Sequence, residues 1–156
     1  MDGINRSGEV NHVVAHFIDG MLLKGTTEDF SPKRASFHVH EPGQSRSAEI
    51  LCKKLKAVFF VRDLDGNPER RDIPGFIQGP GENNQGKKVA VRFKDKEIIF
   101  GYTLSYSRER SGFFLTPADP GSNNLRVYVL TAATTEVKMG VHADALAQQI
   151  VESKAA

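Results

Sequence analysis

A chain of 156 residues with 39% apolar and 26% charged side chains has the length for one ordinary domain or two very small ones, and apolar content enough to exclude wholesale disorder. Its formal net charge of +2 falls short of the basic excess usual in a dedicated nucleic-acid binder. The lone cysteine, Cys52, excludes an intramolecular disulfide and favours a cytoplasmic setting, and no stretch reaches the ~20 apolar residues of a membrane helix.

In chain order, residues 1–10 are polar and glycine-containing and are expected to be disordered. Residues 11–62 read as a series of short strands. The first ends at Asp19-Gly20, a tight hairpin in which glycine supplies the positive φ. The second runs through Gly25, where a glycine inside a strand predicts a bend or bulge. The polar loop SPKR leads to a third strand at SFHVH, then come a fourth at EILC, one helical turn at KKLK and a fifth strand at AVFFV.

Residues 88–139 repeat this order. Val89, Val91 and Phe93 alternate with Ala90 and Arg92, the period of a half-buried strand, and Asp95-Lys96 is a poorer copy of the Asp-Gly turn. Laying residues 13–41 over 89–117 without a gap gives eight identities in 29 positions. They are Val13/Val89, Phe17/Phe93, Asp19/Asp95, Gly25/Gly101, Thr27/Thr103, Ser31/Ser107, Arg34/Arg110 and Phe37/Phe113. This reads as an internal duplication. Residues 63–87, rich in Gly, Pro, Asn and charge, form the connection between the copies. Within it Ile73, Pro74, Phe76 and Ile77 are apolar enough to dock onto the rest. Residues 140–156 predict a terminal helix with Ala143, Leu146, Ala147 and Ile150 on one face.

Five short strands with a bent second strand and a helical turn before the fifth predict a small, strongly curved barrel. The expected fold is therefore all-β, two tandem five-stranded antiparallel barrels with a short C-terminal helix. The Asp-Gly turn, the G-x-T strand and the following F-x-V strand (F-x-L in the second copy) resemble the Sm-like and Src-homology-type small barrels. The pattern is also similar to an uncharacterised bacterial domain family found near signalling modules, which implies a regulatory setting.

The candidate sites are few. His12, His16, His38 and His40 fall on outward strand positions, and imidazole suits zinc, copper or nickel. No carboxylate or thiolate is spaced to complete such a site, and the second copy lacks the set, so no metal or other cofactor is expected. Cys52 sits in an apolar strand, and no Gly-x-Ser-x-Gly elbow, Walker loop or paired-glycine fingerprint appears, so no enzymatic activity is expected. The arginine pair of the cyclic-dinucleotide-binding PilZ barrels, two arginines four apart, has no counterpart among the ten arginines here. A nucleic-acid reading would use Lys53, Lys54, Arg70, Arg71, Lys87, Lys88 and Arg92. The favoured reading follows from the second copy's apolar surplus at Phe100, Tyr102, Leu104 and Tyr106, joined by Phe114 and Tyr128. Such a surplus either packs inside the molecule or docks a protein partner or a second subunit. The expectation is a non-catalytic binding or adaptor module, with an unidentified protein partner or self-association ahead of single-stranded nucleic acid.

Overall fold

The computed structural model describes residues 10–67, 69–76 and 86–155. The N-terminal disorder expectation (but for Val10) and the docking of Ile77 lie outside them. In the first half, β1 (Asn11–Phe17) and β2 (Leu22–Thr27) are followed by β3 (Ser36–Val39), β4 (Ala48–Leu51), a 3₁₀ turn at Cys52–Lys54 and β5 (Leu55–Val61). The second half contains β6 (Lys87–Phe93), β7 (Ile98–Thr103), β8 (Gly112–Pro117), β9 (Asn124–Leu130), a 3₁₀ turn at Thr131–Ala133 and β10 (Thr134–Met139). Helix α1 (Val141–Ala155) closes the chain. Strands β6 to β9 each begin 76 residues after β1 to β4 (Asn11 and Lys87, Leu22 and Ile98, Ser36 and Gly112, Ala48 and Asn124).

The local chemistry of the two halves matches where the residues match. The β1–β2 turn closes with the Phe17 amide donating to Met21 O at 2.9 Å, and Gly20 takes φ +96°. The β6–β7 turn closes the same way from Phe93 to Glu97 at 2.8 Å, but Lys96 stands at the glycine position with φ +79°. An L-residue there is strained. Gly25 and Gly101 share a different necessity. A Cβ on either would lie 2.3 Å from a carbonyl oxygen of the next strand, His40 O and Thr116 O respectively. These glycines let β3 and β8 approach their neighbours closely.

The expectation of two tandem barrels is corrected. Eight strands form one antiparallel sheet in the order β10-β6-β7-β8-β9-β5-β1-β2, not closed into barrels. The halves meet at β5 and β9, with Ala57 opposite Val129 and Phe59 opposite Val127. Strands β3 and β4 form a separate hairpin, joined to β2 by a bridge between Thr26 and His40. The physical reason lies in β5, LKAVFFV, whose seven residues are all buried. A strand apolar on both faces needs cover on both sides, and a small barrel has only one interior.

The side chains of β5 and β9 accordingly divide between two cores. Ala57, Phe59, Val61, Val127 and Val129 join Val14, Val89, Val91, Phe93, Phe113 and Leu115 inside the curl of the sheet. Val58, Phe60, Tyr128 and Leu130 point the other way, under the β3–β4 hairpin, with Phe30, Phe37, Val39 and Ile50. A third cluster covers the back of β6 and β7, where Ala90, Phe100 and Tyr102 meet Ala143, Leu146 and Ala147 of α1, with Phe76 against them. The linker is tied down next to it. Asp119 accepts from Arg70 Nη2 and the Ile73 amide, each at 2.8 Å, and from the Gly121 amide at 2.9 Å.

Candidate functional site

Between the second and third clusters lies a less covered strip of the sheet. It runs over β8 and β9 between the β3–β4 hairpin on one side and the α1 cover on the other. A groove of about 790 Å³ opens there, floored by Phe114, Thr116 and Arg126, with the buried Tyr102 and Tyr128 at its edges. The β2–β3 loop supplies Pro32 and Lys33 to its wall, and the β7–β8 segment supplies Leu104, Ser105 and Arg110. A second hollow of about 770 Å³ shares Pro32, Arg110, Ser111 and Tyr128 with the first and adds Arg34, Lys53 and Arg108. Both volumes fall in the range of small-molecule sites, ~300–1,000 Å³.

The charge of this double groove is one-sided. Lys33, Arg34, Lys53, Arg108, Arg110 and Arg126 line it, against a single carboxylate, Glu109. Among the described residues none of those six cations forms an ion pair. Two loops of the same build present four of them, Lys33 and Arg34 in one and Arg108 and Arg110 in the other. In each, an arginine amide donates to a serine carbonyl three residues back, Arg34 to Ser31 at 3.0 Å and Arg110 to Ser107 at 3.2 Å. The serine hydroxyl accepts from the intervening backbone, Lys33 in one loop and Glu109 in the other.

Arg126 is the unusual member. It stands on β9, where it packs its guanidinium carbon 3.9 Å from the centre of the Phe114 ring and 4.9 Å from that of Phe60. Its Nε and Nη2 are buried with no hydrogen-bond partner. Burial pushes its pKa down to about 10. A buried donor left unpaired costs roughly 1–3 kcal/mol. Beneath the groove, Gly112 makes room for Tyr128, since a Cβ there would lie 2.5 Å from the tyrosine ring.

The residues singled out from sequence are distributed unevenly around this site. Phe100 and Tyr102 are buried against α1 and Phe76, with ring centres 5.6 and 5.8 Å from that of Phe76. Tyr106 packs edge-on against Phe113 at 4.8 Å. The apolar surplus of the second half is therefore largely consumed inside the molecule, and only Leu104, 83% exposed, stands free at the groove's rim. Phe114 and Tyr128 do belong to the groove. Among the cations, Lys53 borders it while Lys54 and Lys87 are exposed elsewhere. Arg70 binds Asp72 and Asp119, Lys88 binds Asp144, and Arg92 binds Glu136. Arg71 lines a separate hollow beside Ile98 and Pro117. The predicted set does not form one basic face.

The histidines are not brought together. His38 Nδ1 lies 2.8 Å from Asp29 Oδ2, and the His38 amide donates to the other carboxylate oxygen. His16 lies 4.4 Å from Phe59, ring centre to ring centre, and burial and then the charge of Lys56 push its pKa down to about 4. Among the described residues no three His, Cys, Asp or Glu side chains are grouped as a metal site requires. Burial raises the pKa of the Cys52 thiol.

Sequence reasoning missed Lys33, Arg34, Arg108, Arg110 and Arg126. The signal was present in two places. Arg34 and Arg110 are one of the eight repeated identities. Arg126 also shares strand parity with Tyr128 and Leu130, a cation placed on an otherwise apolar face.

No helix among the described residues is long and apolar enough to cross a membrane. No curated protein and no solved structure matches this chain. Residues 9–140 match a family of unknown function, DUF6982, a span that takes in all ten strands and every residue of the groove and ends where α1 begins. The chain belongs to that family.

Proposed function

We propose that this protein is a non-catalytic binding module whose working surface is the groove on the back of β8 and β9, and that its ligand is an anion. The observation that carries the reading is the cluster of six cations, none in an ion pair among the described residues, facing one carboxylate, with Arg126 half-buried among them and its Nε and Nη2 without hydrogen-bond partners there. Proteins pair buried charges unless something else occupies them. The same observation moves the binding face away from Phe100 and Tyr102, which α1 and Phe76 already cover. The non-catalytic part rests on chemistry. The groove holds no nucleophile beside a base, and Cys52, on the wall of the second hollow, has its thiol pKa raised by burial.

We further infer that the two halves arose by duplication. The common 76-residue spacing of four strand pairs and the equivalent crowding at Gly25 and Gly101 support this. A bacterial signalling setting is part of the proposal and is supported only by the family resemblance. The experiment is an NMR titration of the amide spectrum with inorganic pyrophosphate. Shifts concentrated in residues 31–35, 105–116 and 126–128 are expected. Shifts centred on Lys54, Lys87 or Lys94, or none at all, would reject the groove as the anion site.

A further inference from the structure

Resting on the groove as an anion site, we propose that its ligand is a nucleotide, a planar base bearing phosphate, either free or as a unit of a single strand. The two hollows divide the chemistry between them. The first is floored by two partly exposed planar side chains, Phe114 and Arg126, with the buried Tyr102 and Tyr128 at its edges. The second carries Arg34, Lys53 and Arg108 and is joined to the first at Arg110. A base fits the first because aromatic rings and arginine planes offer it stacking surfaces, and because its ring nitrogens and carbonyls accept hydrogen bonds. Arg126 Nε and Nη2, buried and without a hydrogen-bond partner among the described residues, would gain such acceptors if the guanidinium turned toward the base. Phosphate fits the second, where arginine forks pair its oxygens two at a time.

An acidic peptide would use the same cations but has no planar group for the floor. A bare inorganic anion would leave the floor empty altogether. The arrangement is also distinct from the arginine pair of PilZ barrels, since Arg34 and Arg110 come from opposite halves and meet only because β5 pairs with β9.

Isothermal titration calorimetry of the full chain tests this with ADP, adenosine, inorganic pyrophosphate, tetra-adenylate RNA and hexaglutamate at two salt concentrations. ADP or tetra-adenylate is expected to bind at least tenfold more tightly than pyrophosphate, adenosine and hexaglutamate, and more weakly as salt rises. Arg110→Ala and Arg126→Met should each weaken that binding at least tenfold, while Lys138→Ala, on β10, should not change it. Circular dichroism checks folding, and Arg110, exposed on a loop, carries the test if the Arg126 variant is perturbed. Tetra-adenylate tenfold tighter than ADP identifies a strand as the source, and equal affinity identifies the free nucleotide. Pyrophosphate or hexaglutamate binding as tightly as ADP would overturn the nucleotide while leaving an anion groove. No binding of any probe would overturn both.

Discussion

The backs of β7 and of β8–β9 are adjacent stretches of one sheet with opposite fates. Behind β7, Phe100 and Tyr102 are sealed by Phe76 and by Ala143, Leu146 and Ala147 of α1. Behind β8 and β9, Tyr128 is covered from the hairpin side by Phe30, but Phe114 is just as aromatic and stays partly exposed, with Arg126 beside it and the surface open as a groove. An apolar face attracts whatever apolar segment the chain can lay over it, because each buried Leu- or Phe-sized side chain contributes about 1.5–3 kcal/mol. An arginine in the face stops that, since covering it would bury a charge without a partner. One side chain therefore separates a covered surface from an open one.

The covered side should be the stability-critical one. The largest effect is expected for Gly101→Ala, whose new Cβ would meet Thr116 O and part β7 from β8. A loss of about 3 kcal/mol in urea unfolding follows from forcing a backbone contact that cannot relax cheaply. Next comes Leu146→Ala in α1, costing about 2–3 kcal/mol. Its counterpart on the open side, Leu104→Ala, should change stability by under about 0.5 kcal/mol because Leu104 is already solvated. Equal losses at Leu104 and Leu146 would erase the distinction between the two surfaces.

The seal over β7 should also carry a pH signature. Burial works to raise the pKa of Asp119, but the Ile73 and Gly121 amides and Arg70 outweigh it and hold the carboxyl below its ordinary value. A carboxylate with a depressed folded pKa contributes stability that is fully present above the unfolded value, near 4, and is lost as the pH falls through the folded value. The difference between the wild type and Asp119→Asn should therefore be largest near neutral pH and shrink below about pH 4. A difference independent of pH would show that Asp119 does not act through its charge. A gain is expected at the β6–β7 turn, where Lys96→Gly relieves a left-handed backbone and should add about 0.5–1 kcal/mol.

Much of the scaffold was legible locally. The Asp19-Gly20 hairpin, the strand through Gly101, the docking of Phe76 and the apolar face of α1 each depend on residues close in sequence, where turn chemistry and periodicity act. The pairing of β5 with β9 was not legible, because AVFFV is apolar on both faces and period alone cannot say what covers each one. The groove failed to appear for a related reason. Lys33, Arg34, Arg108 and Arg110 looked like solvated loop charges, and only the joining of the two halves brings their loops to one groove. Arg70, Lys88 and Arg92 looked equally free, yet the fold gives each a carboxylate. Neighbours in space, set by long-range pairing, decide which cations remain available.

The measurement that bears most directly on the comparison is urea unfolding of Arg126→Met beside the wild type. If Arg126 is kept for a ligand, removing two unsatisfied buried donors should outweigh the lost packing on Phe114 and raise stability by about 1 kcal/mol. A loss of stability would contradict the account, because it would make Arg126 a structural residue and the groove it lines a by-product of packing.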